Sequence, residues 1–158
     1  DALAIAIMNE KKFDKFDFKK FHPSGNLGNK LKTAGDLMLI KKKIPLVNEN
    51  QTMKEALRII NLKGLGFIVV INNHGFTKGI FTDGDLKRLM QKKNKIDKSK
   101  IKFYMTKNPF CVEENMLASE VLSQMNKRKI TNVCVYNKKN KNITIGVLHI
   151  HDLLDNLR

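Results

Sequence analysis

Gly79-Ile80-Phe81-Thr82-Asp83-Gly84-Asp85-Leu86-Lys87-Arg88 closes one stretch of this chain, and Gly146-Val147-Leu148-His149-Ile150-His151-Asp152-Leu153-Leu154 closes another. Each runs from a glycine through two apolar residues to a polar one, with an aspartate three positions further on. That order reads as a strand passing directly into a helix. Upstream of the first, Phe67-Ile68-Val69-Val70-Ile71 is a β-branched run of strand length, and Asn72-Asn73-His74-Gly75 is a turn. Before it, Met53, Ala56, Leu57 and Ile60 recur at helical spacing behind Thr52, and Ile44-Pro45-Leu46-Val47 reads as a short strand. The second stretch has the same antecedents: Pro109-Phe110-Cys111-Val112 as a short strand, a helix over Met116 to Met125 with Leu117, Val121 and Met125 on one face, then Val133-Cys134-Val135-Tyr136 as a strand. A lysine-rich turn over Asn137 to Asn142, a return strand over Thr144 to Leu148 and a closing helix over Asp152 to Leu157 complete it.

Setting Ala56-Leu57 on Val121-Leu122 also sets Ile68-Val69-Val70 on Val133-Cys134-Val135. Gly79-Ile80-Phe81 then meets Gly146-Val147-Leu148 with two extra residues in the second hairpin. The chain therefore contains an internal repeat, from about Asp36 to Lys92 and from about Phe103 to Arg158. Two β-α-β-β-α units of this size cannot each bury both faces alone, so they are expected to pack together as a pseudo-two-fold pair. The expected fold class is α/β (α+β), with small sheets packed against helices. The expected organisation is 33–95 for the first repeat and 96–158 for the second. Residues 1–32 stand outside the repeat. Ala2 to Met8 reads as an apolar helix with no polar face, which needs a core from elsewhere and suggests the tail of an upstream domain.

The chain has 158 residues, 42% of them hydrophobic, too many for a disordered polymer. Its apolar runs, Phe67 to Ile71 among them, are far too short for a membrane span, and two cysteines staple little of a chain this long. A soluble, cytoplasmic protein is expected, without a membrane partner. The net charge is +15, from 30 basic against 15 acidic residues. Only Arg58, Arg88, Arg128 and Arg158 are arginines, and the lysines are spread over every element. Arginine is the residue that grips phosphate and guanine edges in a fork, so this charge fits a solvated surface better than a nucleic-acid reader. Such a field still attracts small anions.

Thr82 and Asp85 have capping-box spacing, and a helix start is the plain reading. The same geometry offers free N–H groups and a hydroxyl to a phosphate, and a carboxylate to a ribose diol, with Gly84 permitting close approach. His149 is a poorer cap than Thr82, so His149 and Asp152 are expected to present an imidazole beside a carboxylate to a polar ligand. His149, His151 and Asp152 are also metal-ligand types, but no further cluster completes a site, and none is expected. Gly64-Leu65-Gly66-Phe67 and Lys129-Ile130-Thr131-Asn132 occupy matching turns, each open to reading as a helix C-cap or as a cleft wall. Cys111 and Cys134 lack metal or redox spacing and read as buried thiols, and Met38, Met105 and Met125 as core fillers. No phosphate loop, dinucleotide fingerprint or nucleophile elbow is present.

The repeat resembles a tandem cystathionine-β-synthase (CBS) domain pair. With His22-Pro23-Ser24-Gly25-Asn26-Leu27-Gly28 upstream, the whole is similar to the C-terminal half of the D-arabinose-5-phosphate isomerases, in which a sugar-isomerase (SIS) domain precedes the pair. The resemblance implies a regulatory module sensing a nucleotide or nucleotide sugar such as CMP-Kdo, with an adenine-nucleotide energy sensor or a purely structural oligomerisation element as alternatives. It assigns Thr82, Asp83, Gly84, Asp85, Lys87, Arg88, His149, His151 and Asp152 to ligand binding. It assigns His22 to acid–base work at the active site of the missing domain, without which this chain should be inactive. Ser24 stands where the family pattern has glycine. It also implies a homo-oligomer, a dimer of CBS pairs within a tetrameric parent, and no resident cofactor.

Overall fold

The computed structural model describes residues 26–92 and 96–158. The helix expected over Ala2 to Met8 lies outside them. In chain order, a short helix α1 (Asn26–Lys30) is followed by α2 (Ala34–Leu37), β1 (Leu39–Ile40), β2 (Leu46–Asn48), α3 (Met53–Lys63), β3 (Phe67–Ile71), β4 (Thr77–Thr82) and α4 (Asp83–Gln91). The second half comprises β5 (Thr106–Lys107), β6 (Cys111–Glu113), α5 (Ala118–Arg128), β7 (Asn132–Tyr136), β8 (Gly146–His149) and α6 (Ile150–Leu157).

The strands form two four-stranded sheets ordered β2-β3-β4-β5 and β1-β8-β7-β6. Each sheet thus carries one strand from the other half of the chain. β5 lies antiparallel to β4, with Gly79 opposite Lys107 and Ile80 opposite Thr106. β1 lies antiparallel to β8, with Leu39 opposite Val147 and Ile40 opposite Gly146. The exchange extends to the helix starts. Ala118 N–H, at the start of α5, donates to Lys32 O at 2.8 Å, and Met53 N–H, at the start of α3, donates to Ser99 O at 2.8 Å. Both are orphan donors of a helix N-terminus, satisfied by backbone from the opposite half. Thr52 and Glu55 close a reciprocal capping box on α3, whereas Leu117 offers α5 no side-chain cap.

β3 and β7 are buried on both faces, as central strands between two layers must be. Their side chains alternate. Ile68 and Val70 join Met53, Ala56, Ile60 and Phe81 beneath the helices of the first sheet. Val133 and Val135 join Val121, Met125, Leu148 and Leu153 beneath those of the second. The opposite faces meet between the sheets, where Phe67, Val69, Cys134, Val147 and Ile44 form a shared apolar layer. Ala34 of α2 is fully buried within the second cluster, so the start of the first segment is core to the second sheet. Phe67 faces Thr82 in register, and Asn132 faces His149 in register, at pseudo-equivalent places.

Candidate functional site

The start of α4 shows how sequence builds one wall of a cleft. Thr82 is extended (φ −120°, ψ 165°), and its Oγ1 accepts from Asp85 N–H at 3.2 Å. Asp85 Oδ2 accepts from Thr82 N–H at 2.8 Å and from Thr82 Oγ1–H at 2.9 Å. Its other oxygen pairs with the exposed Arg88 guanidinium. The Asp85 carboxylate is therefore occupied on both oxygens. The plain reading of this motif as a helix cap is realised in full, and a ribose diol would have to displace existing bonds.

Gly66 approaches the same helix start closely. Its backbone is left-handed (φ 70°), its carbonyl accepts from Asp83 N–H at 3.0 Å, and a Cβ there would lie 3.0 Å from Asp83 Oδ2. The turn before β7 makes the equivalent bond, Ile150 N–H to Thr131 O at 2.9 Å. Gly64 (φ 65°) and Lys129 (φ 56°) end α3 and α5 in the left-handed conformation. The two turns are thus both C-caps and walls, since Leu65, Gly66 and Lys129 through Asn132 all face one cavity of about 490 Å³. Two turns and two helix starts, one of each from either half, converge on it.

The ligand residues expected from sequence divide. Thr82, Asp83, Gly84, Asp85, Arg88 and His149 line this cavity. Lys87, His151 and Asp152 do not: Lys87 and His151 are exposed, and Asp152 is half-buried outside the wall. His22 lies outside the described residues. Sequence reasoning missed Thr106, carried in by β5, and Ile80, and it left Asn132 undecided within its turn. His149, expected to be a poorer cap than Thr82, nevertheless serves as one. Its Nδ1 accepts from His151 N–H at 3.2 Å, capping α6 from the side chain, and its ring stacks on His151 with centroids 4.9 Å apart. Burial lowers its ionisation below the ordinary histidine value of 6.5, helped by the His151 charge and opposed by Asp152. The imidazole is thereby neutral near pH 7, with Nε2–H left as its donor.

Asn132 is 9% exposed and polar in an otherwise apolar strand. Its Nδ2 donates to Thr131 Oγ1 at 3.2 Å, while Oδ1 is buried with no hydrogen-bond partner among the described residues. The cavity is thus lined by Asn132, an imidazole, apolar surface from Leu65, Ile80 and Ile130, and exposed cations at Lys129 and Arg88. This arrangement can hold a polar, anionic small molecule. Among the described residues, no group of three or more His, Cys, Asp or Glu side chains is placed to hold a metal ion. No helix among them is long and apolar enough to cross a membrane.

The CBS domain family model matches residues 34–92 and 100–158. An uncharacterised protein of Rickettsia prowazekii is 37% identical over 154 residues, covering 98% of this chain and 47% of its own length. The arabinose 5-phosphate isomerase of Yersinia pestis is 37% identical over 155 residues, covering 98% of this chain and 46% of its own. The chain spans about half the length of these relatives. Among solved structures, the CBS domain pair of protein MJ0100 in complex with 5′-methylthioadenosine and S-adenosyl-L-methionine superposes with a TM-score of 0.69 at 22% identity, covering 79% of this chain and 94% of that one. The protein CBSX2 in complex with AMP superposes with a TM-score of 0.66 at 20% identity, covering 78% and 94%. The two sheets with exchanged strands, the pseudo-two-fold cleft and both family matches agree: the chain belongs to the CBS domain family and holds a tandem pair of these domains.

Proposed function

We propose that this pair is the regulatory module of a D-arabinose-5-phosphate isomerase, interconverting D-ribulose 5-phosphate and D-arabinose 5-phosphate for Kdo synthesis in lipopolysaccharide or capsule, and that it senses a nucleotide or nucleotide sugar in the cleft between its halves. The observation that carries the reading is the conjunction of that cleft with 37% identity to arabinose 5-phosphate isomerases over 98% of the chain. In this reading residues 1–32 close a sugar-isomerase domain, with 33–95 and 96–158 as the two repeats. His22 then acts as an acid–base group only beside that domain. CMP-Kdo, the activated downstream sugar, is the regulatory ligand that would give feedback. The setting is cytoplasmic, and the pairs associate as a dimer within a tetrameric parent. An adenine nucleotide is the second reading, supported by the adenosine-based ligands of the MJ0100 and CBSX2 complexes.

Thermal unfolding of the chain against CMP-Kdo, CMP, AMP, ADP and ATP tests this. A ligand that binds only the folded state adds about 2.7 kcal/mol of stability at a hundredfold excess over its dissociation constant. A shift with CMP-Kdo alone supports feedback control, and a shift with adenine nucleotides alone transfers the reading to energy sensing. No shift with any of them removes the sensing role and leaves a structural one.

A further inference from the structure

Asn132 is the one polar residue of β7 that the fold does not explain. Strand β3 carries Phe67 at the pseudo-equivalent place, 1% exposed in the apolar layer between the sheets, opposite Thr82. An apolar residue therefore suits this position. Asn132 instead lies in register with His149 and lines the cleft, and its Oδ1 is buried and unpartnered. An unsatisfied buried acceptor is a standing cost to the folded protein, and one that a ligand donor can relieve.

Burial across the cleft orients that ligand. Asn132 is 9% exposed, with Leu65, Ile80 and Ile130 on the same cavity, whereas the Arg88 side chain is 69% exposed and Lys129 is exposed. A flat base suits the inner end and a phosphate the outer. We propose that Asn132 determines specificity in this cleft, its Oδ1 accepting a hydrogen bond from the exocyclic amino group of a nucleobase bound in the half that carries β7. Cytosine and adenine share this amino donor, whereas uracil and hypoxanthine place a carbonyl oxygen there. The first half has Phe67 in place of the acceptor and an Asp85 whose oxygens are already engaged, so base reading is one-sided despite the pseudo-symmetric fold.

This inference rests on the nucleotide reading above, and its experiment separates the two. The 158-residue chain, its Asn132→Leu variant and its Asn132→Ala variant are titrated with CMP, UMP, AMP and IMP by calorimetry, and their ligand-free melting temperatures are compared. The wild type should favour CMP over UMP, or AMP over IMP, by roughly tenfold, as expected for one buried hydrogen bond. Both variants should lose that preference, and ligand-free Asn132→Leu should melt no lower than the wild type, because the orphan acceptor is gone. The inference is overturned if the variants keep the amino preference, if the oxo nucleotides bind the wild type more tightly, or if ligand-free Asn132→Leu melts well below it. If the wild type binds none of the four and CMP-Kdo does not raise its melting temperature either, the nucleotide reading falls with it. Binding by the wild type that is indifferent to Asn132 defeats this inference alone.

Discussion

Gly146→Ala and Gly79→Ala test the strand exchange at its two tightest points. Both glycines sit mid-sheet at pseudo-equivalent places, Gly79 between Val70 and Lys107 and Gly146 between Val135 and Ile40. Neither has a positive φ, so alanine is acceptable to the backbone and by itself adds about 0.4–1 kcal/mol through the unfolded state. The neighbours decide the outcome. A Cβ at Gly146 falls within contact distance of Met38 Sδ and lies 2.7 Å from its Cγ and 2.9 Å from its Cβ. A Cβ at Gly79 lies 2.6 Å from the Thr106 carbonyl and 2.8 Å from Met105 Sδ. Overpacking of this kind costs about 1–3 kcal/mol, leaving a net loss of about 1–2 kcal/mol for Gly146→Ala and more for Gly79→Ala, where the obstacle includes backbone. Urea unfolding of a double-mutant cycle reads the difference. Met38→Ala removes Sδ and Cγ but keeps the Cβ at 2.9 Å, so the pair with Gly146→Ala should be about 1 kcal/mol more stable than the sum of the singles. Met105→Ala should rescue Gly79→Ala much less, because Thr106 O remains. Additivity at Gly146, or a stabilising Gly79→Ala, would show that the exchanged strands do not press on these glycines and would refute the topology argued from them.

Acidification should weaken the protein through His149. Its ionisation is lowered in the folded state, so the stability it contributes is fully present above the ordinary 6.5 and is lost as pH falls through the folded value. Protonation at Nδ1 also removes the acceptor that caps α6. The urea midpoint should fall between about pH 7.5 and about pH 5.5, and less so in His149→Gln, with an unchanged difference counting against the argument. The two cysteines, register partners on β6 and β7, should react unequally with iodoacetamide. The hydrogen bond between the thiols lowers Cys111, against the opposing effect of its burial, and raises Cys134, which complete burial raises further. Mass spectrometry should find Cys111 alkylated first and Cys134 only on unfolding; equal rates under native conditions would overturn this.

The long β-branched runs and their hairpins were legible because each run is buried on both faces and bounded by turn residues. The repeat followed from them. What escaped was carried by very short segments. Leu39–Ile40 and Thr106–Lys107 are two-residue strands, too short for any periodicity, and they are strands only because the opposite sheet has an open edge. Helix boundaries moved for tertiary reasons. The helix expected from Met116 begins at Ala118, since Met116 gives its carbonyl to Ala34 N–H. The helix expected from Asp152 begins at Ile150, since His149 caps it. In the site, the Thr82–Asp85 motif was visible as spacing, but that its carboxylate is saturated depends on where Arg88 folds. Asn132 carried the one signal that could have been weighed more heavily, a polar residue opening a strand otherwise as apolar as its counterpart at Phe67.

The exchange of strands and the asymmetry of the cleft belong together. Each sheet lacks an edge without the other half, and the helices α3 and α5 begin on backbone donated across the divide. Separation of the halves therefore exposes core on both sides, which ties occupancy of the cleft to the stability of the whole pair. Symmetry alone would predict two equal sites. The first half has satisfied its polar groups internally, through Thr82, Asp85 and Arg88, and has filled the place of Asn132 with a phenylalanine. The second half has kept an orphan acceptor beside a neutral imidazole. A ligand gains most where the protein has left hydrogen bonds unmade, so in the inference proposed above duplication supplies the shape of the cleft, and divergence at residue 132 supplies its chemical selectivity.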